Sequence, residues 1–356
     1  MNKDNKVFDN QQVEKEKLLN FFNNLTINDK STIEPIEPII TIDSSNFAIK
    51  AGVSVLNGKK GSGKSTVLRV MITLALMNEK PNWFDDLTIN VKPAQNKPVI
   101  YINTEMPDSL VKDMHDQILK DLNVKETPKN FKVLDFLGLD IERRQSAISD
   151  LFKVYDDIHL IFIDGGADTL EGVNDETSSI KAVETLIKLA QTHQTSIINV
   201  IHLNQGNGET RGHYGQQSER KASGIATVKF DESKEVFEIK YGGKSRGTKM
   251  FKPIHFAYID KNRVQRITPD TTATIIKKVK EDSLLQLVHT CFKDRKRIKR
   301  DELTKLISNI TSTSIKTGQN KLNDMLVRNL VTIDEQKYVV CLTQIPENSQ
   351  QLSIEV

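Results

Sequence analysis

The chain has 356 residues, of which 37% are hydrophobic and 27% are charged, and its formal net charge is +3. This length allows one large and one small domain, and the composition is typical of a soluble globular protein. Because the net charge is small, recognition of a charged partner needs a local cluster of charge. No apolar run reaches the roughly 18 residues that cross a bilayer, and the first residues carry no signal-peptide core, so we expect a cytoplasmic protein without membrane contact.

Residues 1–37 form a predicted N-terminal helix and linker. Within this polar stretch, apolar residues recur with helical spacing at Leu18, Leu19, Phe21, Phe22 and Leu25. This spacing predicts one apolar face on a helix. Two interpretations stay open for the helix: it belongs to a loose tail, or it docks on a neighbouring subunit. Pro35 and Pro38 then break the pattern and indicate the linker.

Residues 38–268 alternate between short apolar strands and amphipathic helices. This alternation predicts an α/β fold whose mostly parallel sheet is covered by helices on both faces. The predicted strands are Val53–Leu56, Val99–Asn103, Lys132–Phe136, His159–Ile163 and Ser196–Ile201. The predicted helices are 64–78, 108–121, 141–154 and 177–193. Alternating polarity predicts antiparallel hairpins at the sheet edge in Ala226–Phe230, Val236–Tyr241 and Ile254–Ile259.

A glycine-rich loop, GKKGSGKS, follows the first of these strands and opens the first helix. Its glycines let successive backbone N–H groups surround phosphates, and the helix adds its positive N-terminal end. Lys64 would reach the β- and γ-phosphates, and the Ser65 hydroxyl would bind Mg²⁺. The sequence therefore predicts a site for ATP and Mg²⁺.

The segment HLIFIDGG supplies the second motif. Asp164 closes an apolar strand, and we expect it beside Ser65 on an adjacent strand, where it would hold Mg²⁺ through water. Asp168 is a weaker candidate because it lies beyond the strand. The predicted ATP-binding residues are Gly58, Gly61, Ser62, Gly63, Lys64, Ser65, Thr66 and Asp164.

A third motif, KPVIYINTEMP, places Glu105 just after another predicted strand. A carboxylate there can accept a proton from the water that attacks the γ-phosphate. Pro107 and Asp108 indicate the start of a helix, so a helix-start carboxylate is an equal interpretation of Glu105.

With these motifs in this order, the chain resembles RecA-like P-loop ATPases, and within them the plasmid RepA-type and DnaB-type hexameric helicases of mobile DNA elements. The resemblance covers about residues 38–267 and rests on GKKGSGKST, YINTEMP, LIFIDGG, and SIINVIHLNQ followed by TRGHYG. It implies that Glu105 is the catalytic base, with Lys64 in the catalytic set. It also implies that His202 senses the γ-phosphate, while an ordinary hydrogen-bonded histidine remains the alternative.

Two further segments resemble parts of the family that act in subunit assembly and in DNA binding. YGGKSRGTK resembles the hairpin that offers a lysine and an arginine to the neighbouring subunit's nucleotide, which implies this role for Lys244 and Arg246; a solvated basic turn is the alternative. Residues 204–224 form a polar, Gly-rich segment where the family has channel loops. The resemblance implies DNA contacts there from Arg211, Arg220 and Lys221, and a mobile surface loop is the alternative.

The sequence of residues 269–345 predicts a small winged-helix-like domain of three short helices and a strand pair. We interpret residues 346–356 as a tail. The basic run Lys293–Arg300 is either a solvated surface or part of a DNA-binding face. In a winged helix the third helix enters the major groove. Here that helix would present Lys316, Gln319, Asn320 and Lys321.

These features together predict a DNA-dependent ATPase. We expect it to form a hexameric ring and to work as a helicase-type motor. Its role would be the replication or mobilisation of a plasmid or mobile element. Its cofactors would be ATP and Mg²⁺. Its partner would be DNA, single-stranded in the ring and duplex at the C-terminal domain. The alternative is an ATP-controlled DNA-binding regulator or helicase loader that does not unwind. A small-molecule kinase is disfavoured, because the residues after Asp164 are acidic where a kinase lid would be arginine-rich.

Overall fold

The chain divides into two compact units, Met1–Glu37 and Pro38–Val356. The computed structural model describes residues 3–29, 31–32, 34–78, 88–170, 172, 175–204, 210, 212–233, 236–243, 250–258, 264–267, 284–311 and 313–342. The first unit is built on helix α1 (Lys3–Leu25). The apolar residues predicted for one face of this helix, from Leu18 to Leu25, are each more than half exposed.

The second unit begins with the strands and helices that surround the P-loop. Its strands are β1 (Pro38–Ile42), β2 (Ser45–Ile49), β3 (Val53–Gly58), β4 (Ile89–Val91), β5 (Val99–Asn103), β6 (Phe131–Asp135), β7 (Leu160–Asp164), β8 (Ser196–His202), β9 (Ile225–Asp231), β10 (Val236–Tyr241), β11 (Ile254–Tyr258) and β12 (Val264–Ile267). Its helices are α2 (Lys64–Leu76), α3 (Asp108–Asp121), α4 (Ile141–Val154), α5 (Glu176–Thr192) and α6 (Gly212–Lys221), with a 3₁₀ turn at Gly166–Thr169.

The central sheet has the strand order β12-β11-β10-β9-β3-β8-β7-β5-β6. The strands from β9 to β6 in this order are parallel to one another. Side chains alternate between the two faces, as they must on a pleated strand. Tyr101 and Phe162 pack with α2 and α3, whereas Ile102 and Ile163 pack with α4 and α5. The predicted parallel sheet with helices on both faces is therefore confirmed.

Two features of the sheets differ from the prediction. β9 forms the predicted antiparallel hairpin with β10, and its other edge pairs parallel with β3, a pairing that the sequence did not predict. In addition, β1, β2 and β4 form a separate antiparallel sheet that the sequence did not predict. The β3–β9 and β1–β4 pairings join segments that are distant in sequence, and local periodicity does not encode such pairings.

The predicted helices agree closely with the observed ones, and two of them have clear start signals. α4 follows Asp140, whose carboxylate accepts a hydrogen bond from the Arg143 N–H at 2.7 Å. α5 follows Asp175, which accepts from the Ser178 N–H at 2.8 Å. These caps satisfy N–H groups that have no partner within the helix.

The segment 204–224 is not only a loop. Helix α6 lies within it, and its Tyr214 is 1% exposed. Arg220 and Lys221, predicted to contact DNA, lie in the last turn of this helix, and Lys221 forms an ion pair with Glu184 at 2.7 Å. The prediction of a loop throughout residues 204–224 was therefore wrong for residues 212–221. Burial of the Tyr214 ring stabilises the helix despite its polar composition.

The C-terminal region contains helix α7 (284–292), β13 (Arg297–Lys299), α8 (Arg300–Ile310), α9 (Ile315–Val327), β14 (Val331–Ile333) and β15 (Tyr338–Cys341). The three strands pair antiparallel in the order β13-β15-β14. β13 was not predicted and lies within the basic run 293–300. Lys316 and Gln319 are exposed on α9, and Lys321 is partly exposed. Within the described ranges, none of the helices combines the length and apolar character that a membrane crossing requires.

Candidate nucleotide site at the ends of the parallel strands

The loop between β3 and α2 contains two glycines in the left-handed backbone region. Gly61 has φ 77° and Gly63 has φ 90°, a conformation that is costly for residues with a Cβ. Gly63 also lies against the Phe237 ring, since an added Cβ would come within 2.4 Å of it. The loop therefore requires glycine at Gly63 for two separate reasons.

Replacement of these two glycines by alanine gives a matched pair of variants. For Gly61→Ala we expect a cost of about 1–2 kcal/mol from backbone strain alone, because an added Cβ meets nothing within 4 Å. For Gly63→Ala we expect about 1–3 kcal/mol more from overpacking, because Phe237 is held by stacking on Phe256 at 5.1 Å. Unfolding curves in denaturant measure both costs. Equal costs would show that the Phe237 contact does not constrain the loop.

Lys64 is the first residue of α2, and its side chain turns back over the loop. The residue is 6% exposed. Its Nζ donates to the carbonyl oxygens of Gly58 and Lys59 at 3.0 Å each, and to His202 Nδ1 at 3.2 Å. Burial lowers the pKa of this ammonium, and the negative charges of Asp164 and Glu105 oppose that shift. The ammonium group thus lies among the loop carbonyls and the carboxylates of the site.

Asp164 lies at the carboxyl end of β7 and is 4% exposed. Its Oδ2 accepts a hydrogen bond from the Tyr101 hydroxyl at 2.9 Å. Burial raises the pKa of the carboxyl group, and the bond from Tyr101 opposes the shift. The expectation that Asp164 is on the strand adjacent to the P-loop strand was wrong, because β8 lies between β3 and β7. The intervening strand β8 ends at His202, whose imidazole contacts both Lys64 and Glu105.

Glu105 follows β5 and faces His202. Its Oε2 lies 2.6 Å from His202 Nε2, and its side chain is 36% exposed. The hydrogen bond from His202 lowers the pKa of the Glu105 carboxyl group, with burial acting in the opposite direction. Helix α3 begins at Asp108 after Pro107 without a side-chain cap. The helix-start interpretation therefore does not describe the contacts that Glu105 makes.

A second layer of polar side chains supports these groups, and sequence reasoning missed it. The Thr104 hydroxyl lies 2.9 and 2.8 Å from the Asp164 and Gly165 carbonyl oxygens, either of which can accept its single hydrogen. Asn199 donates to the Tyr214 hydroxyl at 2.9 Å and links β8 to α6. The signal was present in the sequence, since Tyr101 and Asn199 are polar residues inside mostly apolar strands.

The described residues fit a triphosphate with Mg²⁺. The buried Ser62 hydroxyl has no hydrogen-bond partner among them, and a Cβ added at Gly58 would lie 2.4 Å from Ser62 Oγ. The loop is thus a cradle that a side chain would fill. The exposed Ser65 hydroxyl and the Asp164 carboxylate are oxygen ligands of the kind that Mg²⁺ prefers.

Comparison with known proteins places the chain in a family. The family described as "AAA domain" matches residues 15–208, more than half of the chain. The chain belongs to this AAA domain family. The matched segment of the AAA domain protein includes Lys64, Glu105, Asp164 and His202. The nucleotide-binding fold predicted from the P-loop is that of an ATPase family.

The search of curated proteins gave no match. Among solved structures, the AAA domain protein is similar to a KaiC-like protein from the hyperthermophilic archaeon Pyrococcus horikoshii OT3, with 15% sequence identity and a TM-score of 0.46. The similarity covers 66% of this chain and 100% of that chain.

The remaining predicted site residues lie beside the loop, in the C-terminal region or beyond the described residues. Thr66 contacts the Tyr258 hydroxyl beside the loop. Arg211, Lys244 and Arg246 lie outside the described part of the AAA domain protein, so their roles stay predictions. Lys316, Gln319 and Lys321 belong to α9 in the C-terminal region.

Proposed function

We propose that this AAA domain protein is a DNA-dependent ATPase that works as a ring-forming, helicase-type motor. The proposal that the protein hydrolyses ATP rests on a continuous chain of hydrogen bonds from Lys64 through His202 to Glu105. A protein that only binds nucleotide needs the P-loop lysine, but it does not need a carboxylate connected to that lysine. The arrangement therefore favours hydrolysis over simple binding.

Each residue of the nucleotide site has its own role in ATP hydrolysis. Bound MgATP supplies the γ-phosphoryl group that is transferred to water. Lys64 binds the β- and γ-phosphates, and Ser65 with Asp164 holds the metal. Glu105 accepts the proton of the attacking water, because its side chain is 36% exposed and therefore open to water. Asp164 is unsuited to this role, since it is buried and held by Tyr101.

Assembly into a ring is supported by α1 and by the resemblance of the segment around Lys244 and Arg246. In the proposed ring, a neighbouring subunit buries the exposed apolar face of α1. Lys244 and Arg246 would complete the neighbour's nucleotide site. Acting on DNA, such a ring serves replication or mobilisation of a plasmid or mobile element.

Contact with duplex DNA is proposed for the C-terminal region as a winged helix. Its exposed α9 would present Lys316, Gln319 and Lys321 to the major groove. Phosphate contacts from the lysines would make this binding strongly dependent on salt.

An ATPase assay with and without single-stranded DNA tests the proposal. We expect steady-state turnover to rise when DNA is added, and we expect Lys64→Ala to abolish turnover in both conditions because the phosphates lose their ammonium partner. Turnover that DNA leaves unchanged would contradict a DNA-dependent motor. Strand displacement on a forked duplex separates the motor from the alternative: a regulator or loader hydrolyses ATP without releasing a strand.

A further inference from the structure

Asn103 is the last residue of β5 and lies fully buried two residues before Glu105. Its side-chain amide makes four hydrogen bonds. Oδ1 accepts from the backbone N–H groups of Glu105 at 3.3 Å and of Met106 at 2.8 Å. Nδ2 donates to the Met106 carbonyl oxygen at 2.8 Å and to Asp135 Oδ1 at 2.7 Å. A side-chain amide has two donor hydrogens and an oxygen that accepts two bonds, so Asn103 uses its whole capacity.

These bonds hold the backbone of Glu105 on its C-terminal side. The amide of Asn103 binds both the N–H and the C=O of Met106, so the turn after β5 cannot rotate at Met106 without breaking two bonds. On the N-terminal side, the Thr104 N–H donates to the Asp164 carbonyl oxygen at 3.2 Å. Glu105 therefore has a fixed neighbour in each direction along the chain, and its own side-chain torsions are left to aim the carboxylate.

Asp135 sets the orientation of the Asn103 amide. It ends β6 and lies opposite Asn103 in the parallel register. Its Oδ1 also accepts from the Leu137 N–H at 3.1 Å, which holds the carboxylate in place. A charged acceptor binds an N–H group more strongly than a neutral one does. Because Nδ2 is drawn to Asp135, Oδ1 faces the N–H groups of the turn that carries Glu105.

We propose that Asn103, oriented by Asp135, positions Glu105 for proton transfer from the attacking water. This role rests on the proposed function, since it needs Glu105 to be the general base of ATP hydrolysis. Asn103 is a positioning residue, because it contacts the backbone of Glu105 and acts through it. The phosphates are bound by a separate loop, between β3 and α2, so Asn103 affects the chemical step and leaves the affinity for nucleotide unchanged.

Replacement of Asn103 by aspartate tests this role. Asn103→Asp keeps the size and shape of the side chain but puts an oxygen in place of the donating NH₂ group. That oxygen faces the Met106 carbonyl oxygen and the Asp135 carboxylate, so two attractive contacts become repulsive. We expect kcat to fall about 100-fold, the cost of displacing a reacting group by about 1 Å. The Kd for a fluorescent ATP analogue should not change, whereas loss of both quantities would show a purely structural role and overturn the proposal.

A reciprocal exchange tests the part that Asp135 plays. In the double variant Asn103→Asp with Asp135→Asn, the amide at position 135 donates to the carboxylate at position 103. This repairs one of the two repulsive contacts, so we expect the double variant to regain about 10-fold of the lost kcat. A double variant as slow as Asn103→Asp would overturn the role of Asp135.

A second double variant shows whether Asn103 acts through Glu105. Glutamine at position 105 cannot accept the proton, so its misplacement costs nothing more. Asn103→Asp combined with Glu105→Gln should therefore have the kcat of Glu105→Gln alone. Changes that act independently multiply their effects on the rate. A further fall in kcat by the factor seen for Asn103→Asp alone would overturn the proposal.

Failure of this role and failure of the proposed function give different results. If kcat of Asn103→Asp equals that of the unmodified protein, the positioning role is overturned and the DNA-dependent ATPase stands. If DNA does not stimulate hydrolysis by the unmodified protein, the proposed function loses its DNA dependence and the comparison of variants still decides the role of Asn103. Absence of ATP hydrolysis in the unmodified protein would overturn both. Should Asn103→Asp fail to fold, Asn103→Ala gives the same comparison without a buried charge.

Discussion

Replacement of Glu105 by glutamine is expected to lower kcat for ATP hydrolysis by about 100- to 10,000-fold, the usual contribution of a general base. Glutamine keeps the shape of the side chain but cannot accept the proton of the attacking water. Affinity for ATP should change little, because Lys64 and the loop amides bind the phosphates. Single-turnover hydrolysis and equilibrium binding of a fluorescent ATP analogue measure the two quantities separately.

A matched control is Glu126→Gln, which removes the same charge from an exposed residue in the loop between α3 and β6. This variant should hydrolyse ATP at the unmodified rate. If Glu105→Gln retained more than about a tenth of kcat, a general base worth 100-fold or more would be excluded at this position. Asp168, an exposed residue whose Oδ2 lies 3.4 Å from the Thr104 hydroxyl, would then be the next carboxylate to test.

The fold of the ATPase unit was largely predictable from sequence because its strands are buried on both faces. β5 and β10 have the predicted bounds, and α3 and α4 begin and end at the predicted residues. Continuous apolar runs such as Val99–Asn103 arise when helices cover both sides of a strand. The P-loop was predictable for a different reason, since its glycines meet local backbone requirements that are visible residue by residue.

The order of strands was not predictable in the same way. Asp164 was expected next to the P-loop strand, but β8 intervenes. Strand order depends on how helices cross over the sheet, and short stretches of sequence carry little of that information. The chain from Lys64 through His202 to Glu105 follows from this order, because β8 brings His202 between residues that are distant in sequence. Sequence reasoning named all three residues but did not connect them.

α6 shows a second limit of the prediction. Its sequence, GHYGQQSERK, contains two glycines and hardly any apolar residues, so it has little helical propensity of its own. Tertiary contacts stabilise the helix instead. Tyr214 is buried and bonded to Asn199, and Glu219 is bonded to Asn57. Such contacts are made across the fold and leave no periodic pattern in the segment itself.

Replacement of Arg246 by alanine is expected to lower kcat by about 10³- to 10⁵-fold if this arginine stabilises the transferred phosphoryl group. The guanidinium group suits this role because it is planar and permanently charged. Arg246→Lys is the matched control: it keeps the charge but lacks the planar fork, and we expect it to recover only part of the activity. Steady-state hydrolysis in the presence of DNA compares the three proteins.

Mixing two inactive variants shows on which subunit Arg246 acts. Lys64→Ala has a defective nucleotide site but an intact Arg246, and Arg246→Ala has the reverse. If Arg246 serves the neighbouring subunit, mixed rings contain contacts at which an intact nucleotide site meets an intact arginine, so the mixture hydrolyses ATP although neither variant does so alone. If Arg246 serves its own subunit, every nucleotide site in the mixture lacks one of the two groups and hydrolysis stays absent. Recovery of activity on mixing would therefore establish that hydrolysis is shared between subunits. If mass measurement shows that the assemblies contain both variants and activity still does not recover, the proposed ring mechanism is contradicted.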